Sequence, residues 1–171
     1  IGGGATGIGI ALEASARGYS VVLLEKSDFT KSTSSKSTKL VHGGVRYLEQ
    51  GNIGLVREAV TERGLLLKNA PHLVENLSFI IPTHGFFDEV LYTVGLTFYD
   101  LLAGKLSLGR SKWISKSKTL KRISTINPNQ ISAGVSYHDG QFDDTRLAIN
   151  TLQTAVGLGA IVLNYCDVKG L

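Results

Sequence analysis

The opening stretch Ile1-Gly2-Gly3-Gly4-Ala5-Thr6-Gly7-Ile8-Gly9 constrains the fold more than any other part of this chain. Gly2, Gly4 and Gly7 fit the spacing G-x-G-x-x-G. In that spacing the first glycine permits a tight turn, the second lets backbone approach a pyrophosphate, and the third lets a helix pack closely on a sheet. A helix is predicted over about 8–17, with Ala11, Ala14 and Ala16 as compact packing residues and Gly18 as its cap. Ser20-Val21-Val22-Leu23-Leu24 reads as a buried parallel strand, ended by Glu25. That carboxylate lies roughly 20 residues past the glycines, where an acid accepts hydrogen bonds from ribose hydroxyls. A pyrophosphate would sit at the helix N-terminus, where unpaired N–H groups and the helix dipole favour negative charge. Glycines, helix, strand and acid together predict a dinucleotide site. An acid after the second strand disfavours a 2′-phosphate, but the fingerprint alone does not separate NAD from FAD.

The next segment, 33–49, concentrates hydroxyls, cations, one histidine and a Gly-Gly turn. That is equipment for gripping a cofactor and an anionic substrate. Beyond it, a short helix is predicted over 44–50 and a longer one over 53–69, ending before Pro71. A strand follows over 77–81, closed by Pro82. The apolar, aromatic stretch 89–103 is a helix candidate, either a core or inter-domain helix or a surface that dips into a bilayer. Ser115 is placed to cap a short basic helix over 116–122. A strand over 133–139, a helix from Asp143 or Asp144 to about Val156, and a buried strand over 160–164 complete the pattern.

The spacing of strands separates the two cofactors. A nucleotide-binding βαβαβ unit brings its third strand soon after the second, whereas here the next strong parallel strand arrives only at Ile161-Val162-Leu163. A large insertion is implied, as in two-domain flavoproteins, and this favours FAD. The expected fold is α/β: a doubly wound, Rossmann-like FAD-binding domain of the glutathione-reductase type, with an inserted, incomplete α+β substrate domain. Residues 1–76 and 143–171 are assigned to the former and 77–142 to the latter. The chain opens inside the phosphate loop without the preceding strand, so we expect it to be a fragment of a larger protein.

Composition narrows the partners. Lys and Arg number 18 against 14 Asp and Glu, a formal net charge of +4. Much of the excess lies in Lys105, Arg110, Lys112, Lys116, Lys118, Lys121 and Arg122, which form either a solvated face or a patch for anionic lipid. No aromatic-basic interleaving or known module suggests nucleic acid. The single cysteine, Cys166, excludes an internal disulfide, fits a reducing compartment and reads as a core residue. No stretch reaches transmembrane length. His72, His84 and His138 show no metal-ligand spacing, so no metal is expected.

Five pieces carry a family resemblance: 1–9, 33–49, Asn69-Ala70-Pro71-His72-Leu73, Tyr99-Asp100-Leu101-Leu102-Ala103-Gly104, and Tyr137-His138-Asp139-Gly140-Gln141-Phe142-Asp143-Asp144-Thr145-Arg146-Leu147. In these the chain resembles the FAD-dependent glycerol-3-phosphate dehydrogenase/oxidase family, over nearly its whole length. The resemblance implies FAD binding by Gly2, Gly4, Ala5, Thr6, Gly7, Glu25 and Lys26 around the ADP portion. It assigns Thr33, Ser34, Ser35, Lys39, Leu40, His42 and Gly43 to the pyrophosphate and isoalloxazine, and Val168 to the adenine through its backbone. Arg46 and Tyr47 are implied to reach the substrate phosphate, the guanidinium in a bidentate way and the phenol through one more bond. Asp139, Asp143, Asp144 and Arg146 are expected to organise a turn and a helix cap.

The sequence departs from the family pattern twice. Ser32 stands where glycine is usual, which questions a backbone conformation that glycine permits freely. Lys36 replaces an arginine, keeping the charge but losing the planar fork. The implied reaction is oxidation of sn-glycerol 3-phosphate to dihydroxyacetone phosphate, with hydride passing to the flavin N5 and electrons on to a membrane quinone, or to oxygen in oxidase members. No catalytic base is assigned within these residues. A peripheral membrane contact, a homodimer and a cytoplasmic location at the inner face of the membrane are the accompanying expectations. Another two-domain FAD oxidoreductase, of the amine or amino-acid oxidase type, is the alternative.

Overall fold

The glycine loop at the start of the chain folds back on the strand that follows it: Gly2 N–H donates to Leu24 O at 2.8 Å. In chain order the elements of the computed structural model are α1 (Ala5–Ala16), β1 (Val22–Leu24), β2 (Leu40–Val41), α2 (Val45–Glu49), α3 (Ile53–Asn69), β3 (Val74–Thr83), α4 (Phe86–Ala103), β4 (Lys112–Ser115), α5 (Lys116–Arg122), β5 (Ala133–Phe142), α6 (Asp144–Gly157) and β6 (Ile161–Leu163). Residues 1–170 are described, apart from the side chains of Arg46 and Glu49. The chain divides into two compact units, one formed by 1–39 with 142–171 and the other by 40–141. The sequence expectation divided it at 76/77 and 142/143; here 40–76 packs within the second unit.

In the first unit β1 and β6 pair in parallel, with Leu23 opposite Val162. Ile8 and Ala11 of α1, Leu23 of β1, and Ala148 and Leu152 of α6 form the core, joined by Val21, Phe29, Ile149 and Val162. Small residues at 11 and 148 let both helices approach the strands. Full burial of Ile8 contributes roughly 1.5–3 kcal/mol. The strands were expected to be buried on both faces. Instead Val22 and Ile161 are each 58% exposed. Side chains alternate along a strand, and α1 and α6 receive Leu23 and Val162 while the alternate residues face outward. Cys166, expected in the core, is half-buried in the turn beyond β6.

The second unit is built on a four-stranded sheet in the order β2-β5-β3, with β4 also paired to β5. β2 meets the far end of β5 antiparallel (Val41 opposite Gly140), and β4 meets its start (Ser115 opposite Ala133). Val56 and Val60 of α3 pack with Tyr99 and Ala103 of α4. α3 keeps its predicted bounds, capped by the Asn52 side chain, which accepts from Leu55 N–H at 3.3 Å. α4 begins three residues earlier than predicted, with Asp88 and Glu89 in a first turn where the dipole favours acids. β3 runs past Pro82, which is tolerated next to the strand's end.

Candidate functional site

The first unit carries the nucleotide-type features. Gly2 adopts φ +104°, and a Cβ on Gly7 would lie 2.0 Å from Gly2 O, so the turn admits no side chain there. Gly4 caps α1 with extended backbone, no side-chain cap and no acid in the first turn. The Ser34 hydroxyl accepts from Ala5 N–H at 2.9 Å. Glu25 is fixed by two backbone donors, Gly3 N–H and Ser27 N–H, each at 2.7 Å. These two bonds hold its carboxyl below the usual range. A cavity of about 320 Å³ lies beside this loop, lined by Gly4, Glu25, Lys26, Ser34 and also by Ser32 and Lys36. Neutral helix-terminal amides, a hydroxyl and lysines suit a phosphate-bearing ligand, and the carboxylate suits a ribose. The residues present therefore fit the ADP portion of FAD.

Other expected members of this set are not among the residues lining the cavity. Ala5, Thr6 and Gly7 form the first turn of α1. Thr33 and Ser35 belong to a short 3₁₀ turn. Lys39 takes φ +60°, unusual for a non-glycine residue. Its ammonium bonds to the Asp144 carboxylate and to Ser35 O. Burial would raise the Asp144 carboxyl, but Lys39, the Ser37 hydroxyl and Thr145 N–H more than offset it and hold it below the usual range. Val168 is half-buried beyond β6 and is not among the residues lining that cavity. At Ser32 φ is −91°, outside the left-handed range that favours glycine.

The second unit holds a larger cavity, about 530 Å³, lined by Leu40, His42, Gly44, Val45, Tyr47, Gln50, Phe79, Tyr137 and Asp139. β2 delivers Leu40, the turn after it delivers His42, and α2 delivers Tyr47. Phe79 and Tyr137 stack with ring centroids 5.4 Å apart. Gly43 is buried behind this wall. Arg46 lies on α2, but its side chain is outside the described residues.

Three residues beneath the cavity were missed as a group. Arg63, Tyr99 and Asp139 are each buried to within a few per cent. Arg63 Nη1 donates to Asp139 Oδ1 at 2.7 Å and to Tyr99 Oη at 2.9 Å. Burial, with the Asp139 carboxylate beside it, pushes the Tyr99 phenol far above its usual range and keeps it protonated. Asp139, predicted at the end of a strand and expected to help organise the turn after it, lies within β5, which runs on to Phe142; of the acids there Asp143 acts as the cap, accepting from Arg146 N–H at 2.9 Å. The sequence did carry a signal. Arg63 follows Val56 and Val60 on the apolar face of α3, at a spacing where a charge must find a buried partner.

A glycine-loop nucleotide site in one unit and a polar-aromatic cavity in the other define an α/β protein of the nucleotide-cofactor class. The family model of the FAD dependent oxidoreductases matches residues 1–171, and the chain belongs to that family. FAD is the family's cofactor. Among curated relatives, the mitochondrial glycerol-3-phosphate dehydrogenase of Saccharomyces cerevisiae is 45% identical, over 100% of this chain and 27% of its own length. The aerobic glycerol-3-phosphate dehydrogenase of Staphylococcus aureus is 43% identical, over 96% of this chain and 30% of its own. The solved glycerol-3-phosphate dehydrogenase of Bacillus halodurans, complexed with FAD, superposes with a TM-score of 0.68 at 30% identity, covering 99% of this chain and 26% of that one. The chain thus spans a little over a quarter of the length of these relatives.

Proposed function

We propose that the full-length protein oxidises the secondary alcohol of sn-glycerol 3-phosphate to dihydroxyacetone phosphate and passes the electrons to a membrane quinone. The observation that carries this is the cavity on which His42 and Tyr47 converge, with Arg46 on the same short helix. Similarity to glycerol-3-phosphate dehydrogenases over 96–100% of this chain supports it. FAD, when bound, supplies the acceptor for the substrate hydride at its N5.

The residues of this chain bind and orient. Gly2 shapes the turn, the α1 N-terminus formed by Gly4, Ala5, Thr6 and Gly7 faces the pyrophosphate together with the Ser34 hydroxyl, Glu25 takes the ribose, and Lys26 balances charge. Thr33, Ser35 and Lys39 keep the following loop in place, and Val168 offers backbone to the adenine. Leu40, His42 and Gly43 form the flavin side of the cavity, and Arg46 and Tyr47 bind the substrate phosphate. The first unit is then the core of the FAD-binding domain. Residues 40–76, expected in that domain, contribute the cofactor-facing wall of the second unit.

The same proposal places the protein peripherally at the inner, cytoplasmic face of a membrane. Among the described residues no helix is long and apolar enough to cross one. α4 nevertheless exposes Phe86, Phe87, Val90, Leu91, Val94, Phe98 and Leu101 along one face while Leu96, Tyr99 and Ala103 are buried on the other. The basic segment 110–122 is tied to this helix by Ser111 N–H to Asp100 and by Trp113 Nε1 to Glu89 at 2.9 Å. An apolar stripe with lysines beside it suits an anionic bilayer surface.

Stopped-flow flavin reduction in the full-length protein tests the phosphate role. Arg46→Ala is expected to weaken the apparent affinity for glycerol 3-phosphate by roughly ten- to a hundredfold, the worth of a charged hydrogen bond. Unchanged affinity contradicts the assignment.

A further inference from the structure

We propose that Arg63, Tyr99 and Asp139 form a positioning device whose purpose is to fix one peptide group, the N–H of Gly43, and through it the His42 wall of the cavity; the functional part of this inference rests on that cavity being the flavin and substrate site. Gly43 N–H is shared between two buried acceptors, Tyr99 Oη at 2.9 Å and Asp139 Oδ1 at 3.2 Å. The three side chains come from three separate elements, α3, α4 and β5, and meet at this peptide. Tyr99 accepts from both Arg63 and Gly43, and donates to Asp139 Oδ2 at 3.2 Å. Asp139 also accepts from Gly140 N–H at 3.3 Å. The loop can reach this depth only because residue 43 lacks a side chain: a Cβ there would lie 2.2 Å from Val60 Cγ1 and 2.3 Å from Tyr99 Oη.

Stability alone is a poor account of this cluster. A buried ion pair is often matched or bettered by apolar residues of similar volume. This one also leaves Arg63 Nε buried without a hydrogen-bond partner among the described residues. What an apolar replacement would lack is an acceptor pair for an inward-turned amide. His42, one residue before Gly43, and Gly44, one residue after, both line the cavity, as does Asp139 itself. A reacting pair must be held to well within an ångström, since a displacement of about that size costs up to about a hundredfold in rate. The short loop 42–44 between β2 and α2 is anchored here at its central residue.

The test uses the full-length protein loaded with FAD, and two variants. Tyr99→Phe keeps the ring and removes one acceptor; Arg63→Met with Asp139→Leu removes the charges at similar volume. Hydrogen exchange is read segment by segment, and anaerobic flavin reduction by glycerol 3-phosphate is read by stopped flow. For Tyr99→Phe we expect exchange in the 42–44 segment to rise about fivefold, the equivalent of one hydrogen bond, with exchange in α6 and β6 unchanged. The limiting rate of flavin reduction is expected to fall by about tenfold, with the apparent affinity for glycerol 3-phosphate little changed. The double variant should show the same pattern more strongly. Unchanged exchange at 42–44, exchange that rises uniformly across the second unit, or failure of both variants to fold would each overturn the positioning role and leave general support of the fold. A local rise at 42–44 with unaltered flavin reduction would uphold the anchor and sink the assignment of the cavity.

Discussion

Lys39 and Asp144 join the end of the loop after the 3₁₀ turn to the first turn of α6, and each has a feature that sequence alone does not disclose. Lys39 holds a left-handed backbone that costs of order 1–3 kcal/mol without a glycine, and its ammonium is held by the nearly buried carboxylate of Asp144. The carboxyls of Asp144 and Glu25 both titrate below their usual range in the folded chain. The sign follows: their stabilisation is complete above the unfolded value, near pH 4, and is lost as pH falls through the depressed folded value. Asp144→Asn should therefore flatten the fall in stability below about pH 4, read from urea midpoints across an acid series; an unchanged acid slope would show that the pair contributes nothing. Gly43 gives a second prediction. With Val60 fully buried and Tyr99 held by three hydrogen bonds, neither neighbour can yield to a new methyl group. Gly43→Ala should destabilise by about 1–3 kcal/mol, as overpacking does, measured by denaturant unfolding; a wild-type midpoint would mean that the loop can shift.

At the scale of elements, α4 is the most informative, because it is apolar on two faces. One face is satisfied by α3; the other carries Phe86 and Phe87, about four-fifths exposed. Such a stripe marks an interaction surface. Replacing both phenylalanines by serine should weaken sedimentation of the full-length protein with anionic vesicles by roughly tenfold or more, from the area withdrawn from the bilayer. Binding equal to wild type would remove the bilayer from the account of α4. Elements were legible where periodicity was long or caps were strong: α3 was predicted with its observed bounds, and the start of α6 was placed at Asp143 or Asp144, of which Asp143 is the cap. β4 was not foreseen. Four residues, Lys112 to Ser115, carry too short an alternation to be seen, and only pairing with β5 makes them a strand. Arg63 was passed over because its burial depends on Tyr99 and Asp139, distant in sequence, and periodicity reports a face without reporting the partner.

For the whole molecule, the glycine loop, its helix, the two parallel strands and Glu25 follow from local spacing, which is why the cofactor class was readable from the first 25 residues. The division at 39/40 was not readable, since Lys39 and Leu40 sit in one continuous polar-to-apolar stretch and the boundary arises from which neighbours each side packs against. The segment 33–49 consequently serves two bodies: up to Lys39 it belongs with the glycine loop, and from Leu40 it forms the wall of a separate cavity. We propose that this wall serves flavin-linked oxidation of a phosphorylated alcohol rather than of an amino acid. Anaerobic mixing of the FAD-loaded full-length protein with glycerol 3-phosphate, and in parallel with glycine and proline, tests it most directly. Loss of the yellow flavin absorbance with glycerol 3-phosphate alone is predicted; retention of colour with glycerol 3-phosphate, or bleaching by an amino acid instead, would contradict it.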